Sequence, residues 1–591
     1  MKRYIAILTV LCAVSLSASA QVAKQVEVTR DYKPRVQPAQ KMEIAPTEID
    51  TMTMKPEIDY TITPRSFPSK LGTHRFNPAT ATYWEYQRRY PFYLKLGVGY
   101  PLNSVGDLYA TAHRAGVGYV TGYANHYGSF SNIAYDNGDG TMCKNNRSMQ
   151  TNNRFGAMGG KYFGRYTLAG DLSYGMDIYH RYPLNNNDYK KRLISYEDVK
   201  FVASFGDTFA DYSHLNFKAY ALFDYYHDKS EQFVQDHNLQ QIDANAGITL
   251  AREITSSSSL SLDLNYQGFY GLRSLKEYQN TWAGATLMYR YRSGGMVDVN
   301  AGVKLYYDYN AADVEKPKGR WHGFPVVNVS LNILDGGVAV PYVEADGKLQ
   351  NNSYYSLVKQ NPYVAMLGEN IGFLQAGKFI PNTDIYNVRF GVSGHVANSK
   401  FAYRFYANMS FMLNSLYWYN VNQIFFDAVT ANRNIWSLCA AIDYRPISQL
   451  LISAQVSGSL YNNKATTDIT IGDRVETVNL AGGMPDYEAL LKVQYNHSKF
   501  SVGMNAELCG PIRWTAVQND ALFTGGRAQG ISEFKSPIAL NLSVYGDYRI
   551  NKTCMIYLEG NNLLGDILPT YRWAFYRELG ASFTVGVKVQ F

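Results

Sequence analysis

The stretch 579–591 constrains the fold more than any other part of the chain. Leu579, Ala581, Phe583, Val585, Val587, Val589 and Phe591 are apolar, while Gly580, Ser582, Thr584, Gly586, Lys588 and Gln590 between them are small or polar. An unbroken period of two puts an oily face and a wet face on a single strand. A strand of this kind ending on a carboxyl-terminal Phe is what the closing strand of a bacterial outer-membrane barrel looks like.

The alternation recurs from Phe92 onward. Leu215, Phe217, Ala219, Ala221, Phe223 and Tyr225 alternate with polar neighbours, as do Leu260, Leu262, Leu264 and Tyr266. Two further runs, 283–291 and 297–307, are joined through Ser293-Gly294-Gly295, a tight-turn signal. Continued along the chain, this pattern predicts an all-β, transmembrane antiparallel barrel of about 22 strands, an even number as single-chain bacterial barrels have. The weakest strand is 338–345, where Pro341 removes a ladder donor; without that hairpin about 20 remain, still within the range of known barrels. Connections alternate as well. Short turns at 164–165, 293–295 and 496–498 contrast with long connections at 128–151, 179–198, 346–384, 412–431, 462–484, 510–535 and 561–578. Short periplasmic turns opposite long extracellular loops put both termini in the periplasm.

The N-terminus predicts export. Lys2 and Arg3 precede an apolar run, and Ala18-Ser19-Ala20 forms a cleavage site, so residues 1–20 read as a signal peptide. Residues 21–91 hold eight prolines and one glycine without sustained alternation, and are expected to be an extended periplasmic segment before a barrel spanning 92–591. Beyond the signal no run approaches the roughly 20 apolar residues of a spanning helix. The 50 Tyr, 28 Phe and 7 Trp fit the aromatic girdles of a barrel. Four cysteines follow the signal, without C-x-x-C spacing, so neither a disulfide framework nor a zinc site is expected. A net charge of +7 with interleaved signs gives nucleic-acid binding no support.

Asn561-Asn562-Leu563-Leu564, followed by a loop and the final strand, resembles the C-terminal part of TonB-dependent outer-membrane receptors. Tyr32-Lys33-Pro34, Asn125-His126-Tyr127, Asn351-Asn352-Ser353-Tyr354 and Asn361-Pro362-Tyr363 resemble a narrower group of receptor-like barrels from Gram-negative bacteria that lack the usual plug. The resemblance implies an outer-membrane barrel that imports or passes a solute. The departure is the plug: about seventy proline-rich residues before Phe92 are too few and too polar for a globular core. Val26, Glu27, Val28 and Thr29 have the look of a docking box for an energising partner, and the same segment suits a lipoprotein or other periplasmic partner bound in extended form.

No G-x-S-x-G, H-E-x-x-H or P-loop occurs, and no enzyme, cofactor or metal is expected. His227-Asp228 and Asp236-His237 flank an outer loop and read as solvated loop residues rather than a site. The functional surface is expected on the inward face: Lys218, Asp224, Asp263, Gln267, Arg290, Arg292, Asp298, Asn300, Lys304 and Arg404 sit opposite the apolar positions of their strands. They either line a permeation path or cross-link the interior through ion pairs. In the long outer connection, Tyr354, Tyr355, Asn361 and Tyr363 are ligand candidates, the alternative being that they pack against neighbouring loops. Outer-membrane lipid and the barrel-assembly machinery, through Phe591, are the remaining expected partners. A scaffold or docking subunit of a multi-protein outer-membrane assembly is the alternative function.

Overall fold

The computed structural model describes residues 91–136, 142–180, 193–209, 211–230, 238–276, 279–293, 295–309, 319–333, 337–364, 380–396, 400–421, 423–463, 465–471, 474–519 and 528–591. They form a closed antiparallel barrel of 22 strands. Phe92–Tyr100 pairs on one side with Asn103–Arg114 and on the other with Ser582–Gln590, which closes the ring. At that seam Phe92 N donates to Phe591 O at 2.9 Å, Phe591 N donates back to Phe92 O at 3.1 Å, and the two rings lie 4.7 Å apart.

The alternation seen in the sequence becomes the two faces of this wall. Val120, Leu172, Leu438, Leu460 and Val585 are all more than half exposed on the outside, a belt of apolar surface that only a lipid environment suits. Aromatic clusters edge the belt: Tyr166, Phe205 and Phe217 touch at the rim of short turns, and Tyr307, Tyr309 and Trp321 at the opposite rim. The inner face is wet and cross-linked. Lys95 reaches Glu559 at 2.9 Å, Lys588 reaches Asp547 at 2.7 Å, and Arg389 reaches Glu344 at 2.8 Å.

Girdles explain only part of the tyrosine content. Tyr119, Tyr123, Tyr306, Tyr342 and Tyr557 are buried on the inner face, each laid over a glycine of an adjacent strand: Gly160, Gly156, Gly284, Gly391 and Gly586. Cross-strand neighbours stand only about 4.5–5.5 Å apart at Cβ, so a ring lies flat against the wall only where its neighbour has no side chain. The ring in turn covers the glycine backbone.

The weakest expected strand exists, and its proline marks a limit. Val340–Gln350 pairs with Thr383–Val396 from Val340↔Ser393 to Gln350↔Thr383, but with Arg320–Leu331 only from Val327↔Ala345 to Ser330↔Tyr342. That seam has four paired positions, against six in the next shortest of the wall. Continuing the register would bring Pro341 opposite Leu331 at one end and Pro325 opposite Gly347 at the other, where a missing N–H ends the ladder.

The long connections differ from expectation. The 128–151 and 412–431 stretches are mostly ladder, because Gly118–Asp136, Met142–Phe163, Phe401–Val421 and Phe425–Tyr444 run on past the apolar belt. Three other connections contain hairpins of their own: Thr466–Ile471 with Arg474–Asn479, Arg513–Asn519 with Ala528–Lys535, and Tyr571–Trp573 with Tyr576–Arg577. Strand outside the membrane needs no oily face, so the period-two signal fades while the ladder continues.

Candidate functional site

The 351–364 segment leaves the wall after Val340–Gln350 and folds inward instead of outward. Its first residues build a helix start from amides and hydroxyls. Asn351 Oδ1 accepts from Ser353 N at 2.9 Å, and Ser353 caps the helix Tyr354–Gln360 by accepting from Ser356 N at 3.3 Å. Asn361 ends it, donating its N–H to Leu357 O at 2.8 Å and accepting from Tyr363 N at 3.0 Å through its side chain. Asn352 ties the start of the segment to its return, donating to Pro381 O at 2.7 Å and Thr383 Oγ1 at 3.0 Å. Asn280 donates to Asn382 Oδ1 at 2.7 Å and Asn382 to Asp308 Oδ2 at 2.7 Å, so the base of the segment is clamped from two further strands.

The helix then docks on the far wall. Tyr354, Tyr355 and Val358 are buried against Ile194, Tyr196, Tyr226 and Leu239. Tyr354 Oη donates to Asp228 Oδ2 at 2.7 Å, Tyr196 Oη donates to Pro362 O at 2.6 Å, and Tyr355 N donates to Gln241 Oε1 at 3.2 Å. Tyr355 stacks on Tyr226 with centroids 4.2 Å apart, and Lys359 Nζ stands 3.9 Å above its other face. Burial, reinforced by Asp224, Asp198 and Asp243, pushes the Tyr355 phenol well above its ordinary range. Beyond the helix, Tyr363 O accepts from Phe426 N at 3.0 Å and the Tyr363 ring stacks on Tyr576 at 3.6 Å. The segment therefore crosses from one wall to the other at the rim of long connections.

Below it the wall is charged. Arg154 Nη2 donates to both carboxylate oxygens of Asp198 at 3.0 Å, and Nη1 to Ser173 Oγ at 3.0 Å; Asp224 lies in the field of Asp198, Lys359, Lys200 and Arg154. Between the docked segment, this wall and the 571–580 turn is a cavity of about 480 Å³, with Tyr179, Tyr355, Tyr363, Arg572, Trp573 and Glu578 among its lining.

The residues singled out in the sequence fall as follows. Asp224, Asp263, Arg290, Lys304 and Arg404 and the other inward candidates share the face opposite exposed Leu260, Leu264, Leu287, Tyr289, Leu305 and Phe405. Several are engaged with neighbours: Lys304 with Asp346 at 2.6 Å, Arg290 with Asn300 at 2.8 Å, and Thr249 donating to Asp263 at 2.5 Å. Tyr354, Tyr355 and Asn361 are buried, and Tyr355 and Tyr363 border the cavity. Asp228 is the acceptor that holds Tyr354. Asp236, His237 and Val26 to Thr29 lie outside the described residues, among which no group of three His, Cys, Asp or Glu converges. Arg572, Trp573, Tyr576 and Glu578 were not foreseen, since nothing in the sequence brings the last loop to the 351–364 segment.

No family model and no curated protein matches the sequence. Solved structures do match the fold. A mutant of the ferric enterobactin receptor PfeA from Pseudomonas aeruginosa aligns at 10% identity over 85% of this chain and 80% of its own, with a TM-score of 0.61. The FrpB iron transporter from Neisseria meningitidis aligns at 11% identity over 85% and 81%, TM-score 0.60, and the copper transporter OprC at 13% over 85% and 80%, TM-score 0.58. The fold is that of the TonB-dependent outer-membrane receptors. Among the described residues of this receptor-like barrel no plug domain stands in the lumen; the docked 351–364 segment does.

Proposed function

We propose that this chain is an outer-membrane barrel that passes or imports a solute, with the docked 351–364 segment narrowing the route in place of a full plug. The solved structures that share its fold carry receptor and transporter names, and the reading is of a transporter rather than an enzyme. The observation that carries it is the polar, ion-paired inner face continuing up to a segment that is folded into the mouth and borders a cavity. The exported chain begins in the periplasm with the proline-rich 21–91 segment. Both termini belong at the rim of short turns on that side, Phe591 serves recognition by the barrel-assembly machinery, and Val26 to Thr29 dock an energising or lipoprotein partner. Purified full-length protein and a variant lacking residues 21–90 are inserted into planar bilayers. Discrete current steps are expected, larger or more frequent in the truncated form. A sealed bilayer with both proteins overturns passage and leaves the scaffold role.

A further inference from the structure

We propose that the cavity beside the docked segment binds a neutral, hydroxyl-rich ligand of the oligosaccharide class, an inference that rests on the passage reading above and names its substrate class. Three features of the lining point there together.

The first is the choice of rings. Seven Tyr and one Trp line the cavity, and no Phe. An apolar ligand is served as well by Phe; rings that carry a hydroxyl or an indole N–H suit a ligand that offers flat apolar patches edged with polar groups.

The second is charge. The ionised lining residues are Lys359, Arg572 and Arg577 against Asp177, Asp198 and Glu578, which sum to zero. Most are already engaged within the wall. Arg154 holds Asp198, Asn152 donates to Asp177 at 2.8 Å, Arg577 donates to Gly565 O at 2.8 Å with Asp566 at 3.6 Å, and Arg572 stands opposite Glu578. A charged ligand would have to break these pairs.

The third is what is left over. Tyr226 Oη, Tyr355 Oη, Asn562 Oδ1 and Trp573 Nε1 are buried polar atoms without a partner, and all four residues line this one cavity. Tyr226, Tyr355 and Asn562 are 0, 5 and 8% exposed. Buried polar atoms left unpaired cost stability and call for an explanation, and here they are neutral without exception. A lone donor, a lone acceptor and two phenols that are both form the complement of ligand hydroxyls, which likewise donate and accept. The volume of about 480 Å³ lies within the usual range for small-ligand sites, enough for a short run of sugar units.

The test uses full-length protein in a detergent without a sugar headgroup, applied to an array of neutral oligosaccharides, acidic oligosaccharides and neutral peptides, beside the variant Tyr226→Phe/Tyr355→Phe. That variant removes only unpartnered hydroxyls, so thermal stability should hold or rise. Binding to neutral oligosaccharides is expected, weakened at least tenfold in the variant. No binding, equal binding by both proteins, or selection of peptides or acidic oligosaccharides overturns the inference. Current steps that persist without block by the best-binding oligosaccharide overturn the ligand class alone, whereas absence of current steps overturns passage itself.

Discussion

Replacing Gly160 by Ala isolates the packing of tyrosine over glycine. A Cβ at this position would stand 2.6 Å from Tyr119 Cε1, 3.1 Å from Cζ and 3.3 Å from Cδ1, with no other atom among its three nearest. Carbon atoms prefer about 3.5–4.0 Å, so the ring must retreat by about 1 Å. Tyr119 is 8% exposed and lies directly across the ladder from Gly160, which leaves the ring little room. Overpacking of this kind costs about 1–3 kcal/mol. Gly458→Ala is the control, since nothing lies within 4 Å of its Cβ; there the loss of backbone freedom in the unfolded chain stabilises by about 0.5–1 kcal/mol. Guanidinium unfolding of protein reconstituted in lipid vesicles should therefore move the midpoint down for Gly160→Ala and slightly up for Gly458→Ala. Adding Tyr119→Ala should cancel most of the Gly160→Ala penalty, giving a coupling of about 1–3 kcal/mol in the double-mutant cycle. Equal behaviour of the two alanine variants, or additivity in the cycle, would refute this view of the inner wall.

Three other outcomes follow from the same geometry. Arg154→Ala leaves Asp198 without its two-pronged partner and close to Asp224; reversal potentials in a salt gradient should shift toward cation selectivity, and an unchanged potential would remove this pair from the route. Burial pushes the Glu578 carboxyl above the usual carboxylate range, with Arg572 opposing and Glu507 adding to the rise. A raised folded value means that packing of the last loop is strongest below the unfolded value of about 4.3 and is lost as pH rises through the folded value; Glu578→Gln should flatten this dependence, read from Trp573 fluorescence with the other tryptophans replaced. Pro341→Val supplies a donor at the end of the four-pair seam, worth about 1 kcal/mol, and should slow hydrogen exchange around Ser330; exchange as fast as in the parent would mean that the proline does not set the seam's length.

The ring was legible because one side of it faces lipid. Each strand within the apolar belt carries its own period-two signature, and Val340–Gln350 survived Pro341 because its other edge pairs along its full length with Thr383–Val396. Outside the belt the signature disappears. Thr466–Ile471 and Arg474–Asn479 are short and unpatterned by lipid, though Gly472-Asp473 between them is a hairpin signal that was there to be read. Of the site, the asparagines of 351–364 stood out in the sequence, but their work is structural: Asn351 and Ser353 start a helix, and Asn352 and Asn361 secure its ends. That Tyr363 would meet Tyr576, more than two hundred residues later, is a property of the closed ring and of no local pattern.

Closure of that ring is tested most directly by a disulfide across its last seam. Val98 and Val585 are direct partners between Phe92–Tyr100 and Ser582–Gln590, both exposed on the outer face. In a background where Cys143, Cys439, Cys509 and Cys554 are replaced by Ala, Val98→Cys/Val585→Cys should oxidise within one chain, and protease should then leave the N- and C-terminal fragments joined until the disulfide is reduced. Free thiols after oxidation, or covalent dimers in place of the internal bond, would contradict a barrel closed by its first and last strands.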